Sequence, residues 1–305
     1  ALHDSKNVLA SIELFAKQCE DGYLRGKELA FDESYADIDN IVFAGMGGSA
    51  LPAQIFRSWN LINKPSEVWN RYGSRAYINE RTLFIAMSYS GTTEETLAAT
   101  DVAIAKGAKC LGITVGGTLA KNLQNAEKPV CFVDEASNPC KQPRFAVGFM
   151  LGALIGIFES LELVIAEINM ETVRTALAGS GPATLSDESH DAQLAQSLMG
   201  KIPVLVAAEH LAEIAHFLQN QLNETGKTFA ITHEIPEVNH HLLESLSHPR
   251  GNSDNLIFVF MESAFYNERN QKRFAIMKEL VTRAGIENIS YTQKSSSWLE
   301  EAYLF

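Results

Sequence analysis

The chain has 305 residues, 46% hydrophobic and 20% charged, enough for two domains or one large α/β unit with a real core. Its formal charge of −12, with no Lys/Arg cluster, argues against a nucleic-acid partner, and no apolar run reaches the ~18 residues of a membrane span. The N-terminus lacks the basic-then-apolar order of a signal peptide. Cys19, Cys110, Cys131 and Cys140 show no Cys-x-x-Cys spacing, so neither a zinc site nor a disulfide framework is indicated, and the cytoplasm is the default location.

In chain order, Val8 to Ala30 carries apolar residues at helical spacing and predicts a helix. Short β-rich runs then alternate with helical patterns. Strands are expected at Asn40–Ala44, Ser66–Asn70, Leu83–Met87, Cys110–Thr114 and Pro129–Val133, with helices at Ala50–Trp59 and Thr93–Ala105. Strands so separated make right-handed crossovers, which predicts a five-stranded parallel sheet covered on both faces. The most apolar stretch, Phe145 to Ile157, is too short to span a membrane and reads as the start of a buried helix running to about Leu163. The small, polar stretch Ala178 to Asp191 is expected to connect two halves, placing the first at residues 1–177 and the second at 192–305. In the second half, strands are expected at Ile202–Ala207, Thr228–Thr232, Asn255–Phe260 and Glu287–Tyr291, with helices at Ala208–Leu222 and Asn267–Ala284. The fold class is therefore α/β, two units each with a parallel sheet flanked by helices. The amphipathic end, Trp298 to Phe305, has no stop signal and suits a chain that continues.

Two segments stand at the carboxyl ends of expected strands, where parallel sheets bind ligands. Gly45-Met46-Gly47-Gly48-Ser49 turns from a strand into a helix, so backbone N–H groups and the helix dipole face outward. Alone it is weak: it fits a tight turn, and with Ala50 it matches the G-x-G-x-x-A dinucleotide pattern. That pattern expects an acid after the second strand, where Asn70-Arg71 stands instead. Ser88-Tyr89-Ser90-Gly91-Thr92-Thr93 is more telling. It sets four hydroxyls around one glycine, whereas an N-cap needs only one. Hydroxyls and backbone N–H groups together satisfy a phosphate dianion without a lysine. The two loops point to a sugar phosphate.

This set resembles the sugar isomerase (SIS) fold, and three further motifs narrow the resemblance. Pro143-Arg144 opens the long apolar helix, Asn223-Glu224 ends the first helix of the second half, and Pro236-Glu237-Val238-Asn239-His240 follows the next strand. In that order they resemble the bifunctional phosphoglucose/phosphomannose isomerases. The resemblance implies that Gly47, Gly48, Ser49, Ser88, Ser90 and Thr93 hold the phosphate, that Arg144 steadies the developing enediolate, that Glu224 is the base, and that His240 helps open the sugar ring. It also implies a homodimer in which His240 comes from the partner subunit. Two departures stand out: Thr92 occupies a position where the family often has Asn, and Lys294, just after a strand, does not match the lysine the family carries in a C-terminal helix.

The chemistry is consistent with these residues. Aldose–ketose interconversion moves a proton between neighbouring carbons, needing a base and a cation near the developing oxyanion, with no metal and no cofactor. Glu224 closes a helix whose apolar face is Leu211, Ile214, Ala215, Leu218 and Leu222, a position that disfavours the anion and suits a base; an ordinary solvated glutamate is the plain alternative. His233, His240, His241 and His248 cluster in sequence but match no common metal-ligand spacing. Arg144 fits a surface residue equally well. Two other functions use the same loops: a non-catalytic sugar-phosphate sensor, which needs neither Glu224 nor His240, and an SIS enzyme acting on another sugar phosphate.

Overall fold

A computed structural model describes residues 4–166, 168–178 and 189–305. The chain divides into two compact units, Ala1–Arg174 and Thr175–Phe305. The expected connector lies outside the described residues except for 178 and 189–191.

The first unit opens with α1 (Val8–Glu13) and α2 (Phe15–Lys27). The single helix expected to Ala30 is interrupted at Leu14. Gln18, fully buried, explains the break: its side-chain amide donates to Ser11 O at 3.3 Å, the carbonyl a continuous helix would have paired with residue 15, and to Ser137 O at 2.9 Å. Five strands follow: β1 (Asn40–Gly45), β2 (Ser66–Trp69), β3 (Thr82–Met87), β4 (Lys109–Thr114) and β5 (Val130–Phe132). They form one parallel sheet in the order β2-β1-β3-β4-β5, with Phe43 opposite Ile85 and Ile85 opposite Leu111. Continuous apolar runs such as Ile41-Val42-Phe43-Ala44 are buried on both faces, as a parallel sheet requires. Helices α3 (Leu51–Ser58), α4 (Glu94–Ala105) and α5 (Gly117–Asn125) make the crossovers.

The apolar run expected as one helix from Phe145 begins with a 3₁₀ turn, Pro143–Phe145, and continues as α6 (Val147–Ser160), where Val147 to Phe158 are all buried. It packs closely on α2: the two backbones meet directly at Gly152 and Gly156, and the Phe15 ring lies against Gly148. Gly148, Gly152 and Gly156 share one face of α6, and Gly22 and Gly26 share one face of α2, each pair four residues apart. A Cβ on Gly152 would overlap the Cys19 carbonyl oxygen, and one on Gly22 that of Phe149. Gly152→Ala is therefore expected to destabilise the chain by about 2–3 kcal/mol, read as a lower urea midpoint. An unchanged midpoint would show that the two helices part freely.

Helix α7 (Met170–Leu177) spans the division between the units. The second unit runs α8 (His190–Ser197), β6 (Ile202–Ala208), α9 (Ala212–Glu224), β7 (Ile231–Ile235), α10 (Asn252–Asn255), β8 (Leu256–Met261), α11 (Glu268–Arg283), β9 (Glu287–Tyr291) and α12 (Trp298–Leu304). Its parallel sheet has the order β7-β6-β8-β9. The strand expected at Thr228–Thr232 starts three residues later because the end of α9 takes the intervening amides. Thr228 N donates to Leu222 O and Ala230 N to Asn223 Oδ1, both at 2.9 Å, so the ladder begins at Ile231. Among the described residues no helix is long and apolar enough to cross a membrane.

Candidate active site

The two loops of the first unit meet at the carboxyl edge of its sheet. After β1, Met46 is extended and Gly47 takes φ +50°, so Gly47–Ser49 forms a 3₁₀ turn that leads into α3. Ser49 is buried, and its Oγ accepts the Tyr89 N–H at 3.0 Å, which ties the first loop to the second. After β3, Ser88 forms the buried floor. Its Oγ accepts the Gly91 N–H at 3.1 Å and lies 2.9 Å from Thr93 Oγ1. Thr93 occupies the N-cap of α4 yet makes no side-chain capping bond. Ser90 and Thr92 pair at 3.0 Å on the exposed rim. The surplus hydroxyls thus bond one another across a concave loop that contains no cation, and the first turn of α4 adds outward N–H groups.

Three supports of this cradle were not evident in the sequence. Gly91 (φ +67°) rests on the loop after β4, where a Cβ on it would overlap the Gly116 carbonyl oxygen; Gly117 (φ +68°) closes on Ser90 O from the other side. Thr114 Oγ1 accepts the Gly116 N–H at 3.1 Å and fixes that loop. Two adjacent glycines after a strand were the available signal. Asn138, fully buried, is the third support: its Nδ2 donates to Tyr89 Oη at 3.1 Å and to Gln142 O at 3.0 Å. Burial holds the Tyr89 phenol above its ordinary pKa, so it stays neutral.

Arg144 is brought to the same edge. Gly48 packs against the backbone of the Pro143–Phe145 turn, and a Cβ there would stand 2.8 Å from Arg144 N, so only glycine admits this approach. The Arg144 guanidinium donates to Gln142 Oε1 at 3.3 Å and lies over the Phe145 ring at 5.4 Å. A hydrogen-bonded path thus runs from Tyr89 in the second loop through Asn138 and Gln142 to Arg144.

Glu224 and His240 belong to the second unit, and they flank opposite ends of β7. Glu224 is the last residue of α9 and is exposed; Asn223 Oδ1 anchors this helix end just before the amino end of the strand. Lys227 Nζ donates to the Glu224 backbone carbonyl at 2.6 Å. His240 is also exposed and ends the 3₁₀ turn Glu237–His240, which follows the carboxyl end of β7. Within one chain, this unit does not bring the two side chains to one edge. His233 and His241 face each other with ring centroids 5.8 Å apart, and burial, then His241, lowers the His233 pKa. Among the described residues, no three His, Cys, Asp or Glu side chains gather to hold a metal.

Comparison with known proteins gives a consistent picture. Residues 34–128 match the SIS domain, and residues 187–304 match the bacterial phospho-glucose isomerase C-terminal SIS domain. The chain is 30% identical over 282 residues to a bifunctional phosphoglucose/phosphomannose isomerase of Caldicellulosiruptor bescii, covering 90% of this chain and 82% of that one. It is 27% identical over 242 residues to a D-glucosamine-6-phosphate 4-epimerase of Sulfolobus acidocaldarius, covering 75% and 73%. Among solved structures, the C-terminal domain of glucosamine-fructose-6-phosphate aminotransferase from Francisella tularensis superposes with a TM-score of 0.73 at 13% identity, covering 100% of this chain and 94% of that one, which shows the shared fold. At this identity and coverage, with the SIS match in each unit, the chain belongs to the bifunctional phosphoglucose/phosphomannose isomerase family.

Proposed function

We propose that the chain interconverts glucose 6-phosphate and mannose 6-phosphate with fructose 6-phosphate through a cis-enediol. The observation that carries this reading is the cation-free hydroxyl cradle, in which Thr93 sits at a helix N-cap but spends its hydroxyl on Ser88. A dianionic 6-phosphate replaces those mutual hydroxyl contacts with its own oxygens. Binding energy from this remote group then orients C1 and C2, where the chemistry occurs. The hydrogen removed from C1 of fructose 6-phosphate returns at C2, so nothing is oxidised or reduced overall. Glu224 carries that proton, Arg144 stabilises the oxyanion, and His240 opens the ring. Glucose and mannose differ only at C2, which is planar in the enediol, so delivery of the proton to either face yields one or the other.

The working enzyme is a cytoplasmic homodimer in this reading, with His240 reaching the partner subunit's site. Residues 1–177 and 192–305 act as its two SIS subdomains, joined by residues 178–191.

Incubating the protein with fructose 6-phosphate and coupling product formation separately to glucose 6-phosphate and mannose 6-phosphate tests the assignment. Formation of both is expected, and turnover to neither would reject it. The epimerase relative supports a second reading, an SIS enzyme acting on an amino-sugar phosphate. Conversion of glucosamine 6-phosphate by a protein inert to fructose 6-phosphate would select it.

A further inference from the structure

The second unit contains a cavity of about 550 Å³ at the carboxyl ends of β8 and β9. Its walls are the segments that follow those strands, Glu262 to Tyr266 and Thr292 to Ser295, closed by Gln271 and Phe274 of α11 and Glu301 of α12. The volume lies within the ~300–1,000 Å³ of ordinary small-molecule sites.

Its place in the fold is informative. The strand order β7-β6-β8-β9 repeats the order β2-β1-β3-β4 of the first unit. The loops after β8 and β9 therefore occupy the topological positions of Ser88–Thr93 and of the Gly116–Gly117 support. Glu224 lies by the opposite, amino end of this sheet, and His240 follows β7, which β6 separates from β8.

The charges of the lining are unequally committed. Glu262 is paired with Lys278 at 2.5 Å, and the buried Glu301 is hydrogen-bonded to His210 Nε2 at 2.9 Å. Lys294, by contrast, forms no hydrogen bond or ion pair among the described residues and is the one cationic side chain of the lining. Around it stand hydroxyls and an amide from Ser263, Thr292 and Gln293, and Ser295 Oγ is buried with no hydrogen-bond partner. Phe265, 41% exposed, supplies a flat apolar face. One cation, several neutral hydrogen-bonding groups and one aromatic face match a phosphorylated polyol.

We propose that the second unit binds a phosphorylated sugar in this cavity, with Lys294 on the phosphate and Phe265 against the sugar ring, at a site that takes no part in catalysis. This goes beyond the isomerase reading and is tested apart from it. The probe is 1,5-anhydroglucitol 6-phosphate, which has no carbonyl carbon to isomerise, titrated calorimetrically into the 305-residue chain. Two equivalents per chain are expected. The variant carrying Lys294→Ala and Phe265→Ala, both exposed positions, is expected to bind one equivalent, to melt within a few degrees of the parent and to retain fructose 6-phosphate turnover within about twofold. Ser88→Ala with Thr93→Ala is expected to remove the other equivalent instead. A single equivalent in the parent that persists in the Lys294 and Phe265 double variant, or two equivalents in that variant, would overturn the proposal. So would displacement of the second equivalent by AMP at equal concentration, which would reassign the cavity to a nucleotide. Loss of an equivalent with Lys294 in a protein that turns over no fructose 6-phosphate would uphold this site while rejecting the isomerase.

Discussion

Glu224→Gln is expected to lower kcat for fructose 6-phosphate by between about 10²- and 10⁴-fold, with KM changed by no more than a few-fold. The substitution is isosteric and removes only the ability to accept a proton. Glu224 is the exposed last residue of α9. The bond from Lys227 goes to the backbone carbonyl and survives the change. The proposed phosphate cradle, with Ser49, Ser88 and Thr93, is untouched, which is why binding should persist. Exchange of the C1 hydrogen of fructose 6-phosphate with deuterated solvent offers a second readout, since it reports proton abstraction even when no product leaves. Exchange should fall together with kcat. Exchange at the parent rate in the glutamine variant would assign the base to another residue.

The parts of this molecule that were legible in the sequence are those set by local chemistry. Runs such as Ile41-Val42-Phe43-Ala44 and Leu83-Phe84-Ile85-Ala86-Met87 are apolar on both faces, and only a covered parallel strand accommodates that. The second loop was legible because its hydroxyls outnumber what capping requires, and in the structure Thr93 does not cap. What was not legible depends on distant partners. Nothing within Val8 to Ala30 says that the buried Gln18 side chain will take the Ser11 carbonyl and break the helix. Nothing near Thr228 says that Asn223 will capture the Ala230 amide and delay β7. The need for glycine at 117 arises from the approach of Ser90 and Gly91, itself a consequence of how the loops after β3 and β4 stack, whereas Gly116 is required by its φ of +150°. Asn138 is the same kind of case: a lone buried asparagine becomes meaningful only when it links Tyr89 to the Gln142–Arg144 segment.

Co-expressing the Glu224→Gln chain with a His240→Ala chain is expected to restore about a quarter of the parent activity, although each variant alone is nearly inactive. The expectation follows from β7. Glu224 lies before its amino end and His240 after its carboxyl end, and the strand between, Ile231–Ile235, covers about 13 Å at ~3.3 Å per step. Turns at both ends lengthen the separation, whereas the proposed base and ring-opening group must act on neighbouring atoms of one sugar. A second copy of the chain resolves this if each site takes Glu224 from one subunit and His240 from the other. Random pairing makes half of the dimers mixed, and each mixed dimer then holds one site with both residues intact and one with neither. One good site in every four is the result. If His240 served the site of its own chain, every site would lack one of the two residues and co-expression would add nothing to the sum of the single variants. Activity at that sum, in a preparation shown by mass spectrometry to contain the mixed dimer, would remove His240 from the partner's site.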